Sequence, residues 1–152
     1  MQIHSAYLYG LGSPQVTNAL VDRCVKSIEK NKLIDKIDTI FHTGLSGAFV
    51  GIPLALRLNV YHCALRKEES HSPYELEGVM GQDILIVDDS VDSGTTLELL
   101  YEEAIKHKPR SIRVLLYDCE PVESGVFDQA PIYYVDLPEN GLFDLTTSIL
   151  GD

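Results

Sequence analysis

The chain has 152 residues, 45% hydrophobic and 23% charged, and carries 23 Asp and Glu against 12 Lys and Arg, a net charge of −11. These figures fit one ordinary globular domain able to bury a proper core, and the acidic balance argues against nucleic acid as the main partner. No apolar run approaches a membrane span, MQIHSAYLYG lacks a basic-then-apolar leader, and Cys24, Cys63 and Cys119 form neither a disulfide framework nor a zinc motif, so the expectation is a reduced, cytoplasmic protein with no membrane partner.

Residues 1–12 hold Tyr7, Tyr9, Gly10 and Gly12, and fit either a short strand or part of a lid. Ser13-Pro14 reads as an N-cap with proline in the first turn. Val16, Ala19, Leu20, Cys24 and Ile28 then recur at helical spacing to about Lys30, which predicts an amphipathic helix. A short strand is expected over Ile37–Phe41. Gly44 and Gly47 bracket a tight loop, and Gly47–Leu58 is apolar enough for a buried helix, with Pro53 a threat to its continuity. Val60–Leu65 reads as a strand running out into Arg66-Lys67. The next stretch, Glu68–Gln82, has the composition of a loop.

The most informative run is Ile84–Thr96, ILIVDDSVDSGTT. Four β-favouring apolar residues predict a central parallel strand buried on both faces. The strand ends on two carboxylates, Asp88 and Asp89, and a small hydroxylated loop follows, Asp92-Ser93-Gly94-Thr95-Thr96. Leu97, Leu99, Leu100 and Ala104 then take up helical spacing among good helix formers. Strand, acidic corner, small-residue loop and helix in that order set backbone N–H groups and hydroxyls at the positive end of a helix, where phosphate binds. The carboxylates beside them suit sugar hydroxyls or Mg²⁺. The run is neither a P-loop nor a dinucleotide fingerprint. Beyond it, Ser111–Tyr117 and Ile132–Val135 read as strands, while Asp118–Ala130 and Leu137–Asp152 match no motif. Strands alternating with helices predict an α/β domain with a mainly parallel sheet flanked by helices, its loops 43–47, 66–78 and 88–96 meeting at the carboxyl edge.

At nearly every position Ile84–Thr96 resembles the phosphoribosyl pyrophosphate (PRPP) signature of type I phosphoribosyltransferases. Gly47, Gly51, Pro53 and Ala55 likewise resemble the helix that follows the pyrophosphate loop in the adenine enzymes, although Ser46 stands where those enzymes carry arginine. The resemblance implies a single domain over 1–152, with a small hood from roughly 118–152 and possibly 1–12. It implies that Asp92, Ser93, Gly94, Thr95 and Thr96 hold the PRPP 5-phosphate. Asp88 and Asp89 would hold the ribose hydroxyls, directly or around Mg²⁺, and Thr43, Gly44, Leu45, Ser46, Gly47, Arg66 and Lys67 the pyrophosphate. Ser70, His71 and Tyr74 fall in the segment that resembles the family's mobile loop. In the hood, Tyr117, Phe127, Tyr133 and Phe143 are candidates to stack on a base.

The implied reaction is transfer of the 5-phosphoribosyl group from PRPP to a nucleobase, with a purine expected ahead of orotate, uracil or a modified base. Asp92 is the candidate catalytic base, as in hypoxanthine-guanine enzymes; capping of the following helix is its structural alternative. A homodimer is also implied. A second class of function fits the same residues, a PRPP- or nucleotide-sensing regulator that keeps the fold without the reaction.

Overall fold

The apolar run Ile84–Val87 is fully buried, as its composition demands, and lies in the interior of a six-stranded sheet. The computed structural model describes residues 8–66 and 75–151. Among these are helices α1 (Pro14–Lys30), α2 (Gly44–Leu58), α3 (Thr95–Ile105) and α4 (Leu142–Leu150). The strands are β1 (Thr39–Thr43), β2 (Tyr61–Leu65), β3 (Leu76–Gly78), β4 (Asp83–Asp88), β5 (Ser111–Leu116) and β6 (Ile132–Tyr134). Their order across the sheet is β3-β2-β1-β4-β5-β6, parallel throughout except where β3 runs against β2. The mainly parallel α/β architecture expected from the sequence is the one observed.

Because side chains alternate along a strand, β4 feeds two cores. Leu85 and Val87 join Val16, Leu20, Val50, Leu54 and Leu142 on the face covered by α1, α2 and α4. Ile84 and Ile86 join Phe41, Leu97, Leu100 and Phe127 on the face covered by α3. At the amino edge Asp38 holds β1 and β4 in step. Its carboxylate accepts the backbone N–H groups of Gln82 (3.0 Å) and Asp83 (2.9 Å).

Several local expectations are corrected. β1 starts at Thr39 rather than Ile37, after a 3₁₀ turn over Ile34–Lys36. α2 runs unbroken through Pro53; the carbonyl this proline leaves without a donor is that of Phe49, on the exposed side of the helix. Nor is α2 buried all round, since Leu45, Phe49, Ile52 and Leu56 face outward. Within the segment read as loop, Leu76–Gly78 pairs with β2 as β3, too short to show any periodicity. The stretch 137–152, which matched no motif, contains α4, whose Leu142 and Leu145 are buried against α1 and the rest of that core. Each such burial stabilises by roughly 1.5–3 kcal/mol. The segment expected as a hood is therefore in part core. Tyr117 is fully buried, and Phe127 meets Tyr101 edge-on at 6.2 Å, so neither ring is available to stack on a base.

The chain turns out of β1 over His42, a residue the sequence reading passed by. His42 is 2% exposed, and neither ring nitrogen has a partner among the described residues. Burial, with a smaller effect from His62, pulls the imidazole down to about 4, so it is neutral at pH 7. α2 lies so close over it that a Cβ on Gly51 would stand 2.8 Å from His42 Cδ2, and one on Gly47 would stand 2.9 Å from His42 Cβ. These glycines set the height of α2 above the sheet. Gly51→Ala should destabilise the protein by roughly 1–3 kcal/mol through overpacking, measured by urea denaturation. Combined with His42→Ala, the cost should be less than the sum of the two single changes. Wild-type stability of Gly51→Ala would show that the contact gives way freely.

Candidate active site

β1 and β4 are neighbours, in register from Thr39 opposite Ile84 to Phe41 opposite Ile86. From β1 the chain leaves through α2, on one face, to β2 on one side; from β4 it leaves through α3, on the other face, to β5 on the other side. Where neighbouring parallel strands send their connections in opposite directions, a crevice opens at their carboxyl ends. Here it is a cleft of about 500 Å³ lined by Leu8, Thr43–Ser46 and Asp88–Leu97. A larger groove, about 720 Å³, lies between α1 and β6; of the residues singled out for the site it holds Tyr133, away from Asp92–Thr96 and the acid pair.

The cleft brings Thr43, Gly44, Leu45 and Ser46 together with Asp88, Asp89, Asp92, Ser93, Gly94, Thr95 and Thr96, though they are some forty residues apart in the chain. Gly47 is not in its wall; it lies on the inner face of α2, against His42 and the Val87 carbonyl. Arg66 stands just past β2, where its guanidinium pairs with Glu77 at 2.8 Å and its N–H donates to the Glu75 carbonyl. Lys67, Ser70, His71 and Tyr74 lie outside the described residues. Leu8, Ser90, Val91 and Leu97 complete the wall and were not foreseen. Of these, Ser90 and Val91 could have been found as the spacer inside the signature.

Two helices begin at this cleft. The first-turn N–H groups of a helix lack intrahelical acceptors and carry its positive partial charge. α2 starts at Gly44 and α3 at Thr95, neither with a side-chain cap hydrogen bond. At α3, Ser93 Oγ and Thr95 Oγ1 lie 2.9 Å apart and Ser93 Oγ accepts the Thr95 N–H at 3.4 Å, which gathers two hydroxyls at the first turn of the helix. Gly94 makes this turn possible: its φ is +88°, and a Cβ there would stand 2.5 Å from the Val126 carbonyl oxygen. Asp92 is exposed in the wall, and its carboxylate has no hydrogen-bond partner among the described residues. It does not cap α3, whose N-cap is Gly94.

The acid pair is held differently on its two members. Asp88 is 6% exposed and accepts from Ser46 Oγ (3.2 Å) and the Asp89 N–H (2.9 Å). Burial, then the neighbouring Asp89 charge, pushes its carboxyl up to about 7, and the Asp89 N–H and Ser46 only partly oppose this. Ser46 is fixed in turn by Tyr117, whose hydroxyl donates to the Ser46 carbonyl at 2.8 Å. Asp89 is half-buried and accepts the Ser90 N–H at 2.7 Å. Thr43 directs its hydroxyl away from the pair, to the Leu65 carbonyl at 2.8 Å. The backbone of Asp89 is pinned by the Asp118 N–H (2.8 Å), and Asp118 accepts the first N–H of α4 from Leu142 (2.9 Å). No cluster of three or more His, Cys, Asp or Glu stands ready for a metal among the described residues. Two adjacent carboxylates are nevertheless the donor set Mg²⁺ takes when water and substrate phosphates complete its shell. No helix among the described residues is long and apolar enough to cross a membrane.

No curated protein sequence matches the chain. Among solved structures it is similar to orotate phosphoribosyltransferase from Aeropyrum pernix, at TM-score 0.66 and 15% identity, covering 93% of this chain and 79% of that one. It is also similar to adenine phosphoribosyltransferase from Saccharomyces cerevisiae, at 0.63 and 20%, covering 80% and 79%. A third similar structure is purine phosphoribosyltransferase from Pyrococcus horikoshii, at 0.53 and 20%, covering 83% and 93%. At such identities the likeness is one of fold. The family model for the phosphoribosyl transferase domain matches residues 51–136, more than half of the chain, a span that includes Asp88, Asp89, the loop up to Gly94 and α3. The chain therefore belongs to the phosphoribosyl transferase domain family, and membership implies a glycosyltransferase-type enzyme.

Proposed function

We propose that this protein transfers the 5-phosphoribosyl group from PRPP to a nucleobase and releases pyrophosphate. The observation that carries the reading is the meeting of two uncapped helix N-termini with a carboxylate pair in one cleft. In this reading the N–H groups and hydroxyls of Ser93–Thr96 hold the 5-phosphate. The α2 N-terminus over Thr43–Ser46 holds the pyrophosphate, with Arg66 and Lys67 supplying cations from the neighbouring strand exit. Asp88 and Asp89 take the ribose hydroxyls or, through them, a Mg²⁺ ion. When bound, that ion would offset the charge of the leaving pyrophosphate. Asp88 favours a cation for a physical reason: ionising it costs desolvation and repulsion from Asp89, and a bound cation offsets both.

The bond from ribose C1 to pyrophosphate oxygen breaks as the bond from C1 to a ring nitrogen forms, and the proton on that nitrogen passes to Asp92. The transition state is oxocarbenium-like, so the demand on the protein is positioning and charge compensation. A purine is proposed as the base, resting on Asp92, as in hypoxanthine-guanine enzymes, and on the sequence Tyr74–Glu77, which resembles the segment closing the mobile loop in adenine-type enzymes. Turnover of PRPP with adenine, hypoxanthine, guanine, orotate and uracil tests the reading. PRPP binding without turnover of any base would identify a sensor instead.

Asp88→Asn should separate binding from stability. Losing charge-assisted hydrogen bonds to substrate should weaken PRPP binding by roughly 1.5–3 kcal/mol, read by calorimetry. Stability should move the other way. The folded pKa of about 7 lies above the ordinary 3.8, so the folded state holds the extra proton between them, and stability from the protonated carboxyl is lost as pH rises through 7. The mutant should therefore melt above wild type at pH 8, by about 2–4 °C for each kcal/mol relieved, and the gap should close towards pH 4. A mutant that melts lower at pH 8 would mean the Asp88 charge is stabilising.

Asp92→Asn tests the chemistry. Asparagine keeps the size of the side chain but cannot take the proton, so kcat should fall by ~10²–10⁴. Melting temperature and PRPP affinity should change little, because the carboxylate makes no hydrogen bond in the cleft wall. Near wild-type turnover would send the proton elsewhere.

A further inference from the structure

β6 forms one edge of the sheet, and α1 runs alongside it. On an edge strand every second residue turns its N–H and C=O away from the sheet. β5 takes the Pro131 carbonyl and the Val135 N–H, so Ile132, Tyr134 and Asp136 are the residues that turn outward. α1 has already claimed two of their carbonyls: Ser27 Oγ donates to that of Tyr134 at 2.7 Å, and Arg23 to that of Asp136 at 2.8 Å. What the edge has left is donors. The N–H groups of Ile132 and Tyr134 have no partner among the described residues.

These donors border the groove of about 720 Å³, a volume in the range of small-molecule sites. Arg23, Lys26 and Lys30 line it from α1, three of the 12 Lys and Arg in a chain of net charge −11. At 100° per residue they fall within about 60° of one another, in one row along the helix. Lys26 and Lys30 are exposed and form no ion pair among the described residues. Of the two carboxylates in the lining, Asp22 is paired with Arg57, and Asp136 stands at the Arg23 end. The same two contacts make α1 antiparallel to β6, which brings Lys26 near the level of Tyr134 and Lys30 near that of Ile132. The two lysines are about 6 Å apart along the helix, and the two N–H groups about 6.6 Å apart along the strand. Two stations in line, each a cation with an N–H, call for a ligand with at least two anionic groups. Beside them Ile132 and Tyr133 offer half-buried apolar surface.

We propose that this groove binds a nucleoside polyphosphate, its phosphates on Lys26, Lys30 and the N–H groups of Ile132 and Tyr134, and its base against Tyr133. The groove shares no lining residue with the cleft, so this is a second site. A bare polyphosphate would leave Ile132 and Tyr133 uncovered. A peptide pairing as a further strand would need the Tyr134 and Asp136 carbonyls, which Ser27 and Arg23 hold.

Titration of nitrogen-15-labelled protein with ATP, at low salt and without Mg²⁺, tests this. The amide signals of Ile132 and Tyr134 should move saturably, while those of Gly94 and Thr95 report the cleft separately. Lys26→Gln with Lys30→Gln changes two exposed residues outside both cores, so circular dichroism should match the wild type. The ATP dissociation constant read at Ile132 and Tyr134 should rise roughly tenfold or more, through loss of charge-assisted contacts, with no change at Gly94 and Thr95. Lys30→Gln alone serves if the double variant does not fold. Adenosine should leave the Ile132 and Tyr134 signals in place. Signals there that stay still with ATP overturn the proposal, as does a folded variant that binds there as tightly as the wild type, or adenosine moving them as ATP does.

Discussion

The constraint on which the rest depends is the adjacency of β1 and β4. Neighbouring parallel strands normally share a direction of travel; these two part, one chain crossing to α2 on one face and the other to α3 on the opposite face. Everything at the site follows from that divergence. It opens the cleft, brings two helix N-termini to one edge, and sets the last residue of β4, Asp88, between them. The latch at the other end, Asp38 holding Gln82 and Asp83, keeps the two strands in step. A slip of one residue would turn Asp88 away from Ser46 and replace it by Val87.

An acidic protein that handles anionic groups must keep its own field out of the site. Among the described residues, no Lys or Arg lines the cleft. The positive character there comes from backbone N–H groups at the starts of α2 and α3, which hold their charge at any pH and are oriented before a ligand arrives. The opposing element is Asp88, buried beside Asp89 and driven up to about 7. Held alone it is an unfavourable arrangement, tolerated because Ser46 and the Asp89 N–H keep its oxygens satisfied and Tyr117 keeps Ser46 in place. Ser46 therefore does more than lack the charge of the arginine found there in adenine enzymes: it is the hydroxyl that steadies the acid.

What could be read from the sequence was what is written in contiguous residues. Ile84–Thr96 specifies strand, acid pair, loop and helix within thirteen residues, because burial on both faces, a turn at positive φ and an open helix start each demand a particular residue type. The convergence of Thr43–Ser46 on that loop followed from the general behaviour of parallel sheets. The rest depends on distant partners. β3 is three residues held by pairing with β2, and no three residues carry a period. The helix over Leu142–Leu150 did have a signal, Leu142, Leu145 and Ile149 at helical spacing, but it was masked by the Pro and Gly just before it. His42 was invisible for another reason: its importance lies in the glycines of α2 that close over it, and only the packing shows that they meet.

The composition of α2 presents a further conflict between sequence and fold. Its residues read as a helix buried all round, yet in the single chain a full stripe faces outward. A helix that needed only to cover β1 would bear charged residues on its far side, as α1 does with Asp22, Arg23 and Lys26. One helix thus answers two demands at once. Its N-terminus opens on the cleft, and its inner face closes over His42 and the sheet. Gly47 and Gly51 are needed for the second demand, while Leu45 at the first turn lines the cleft.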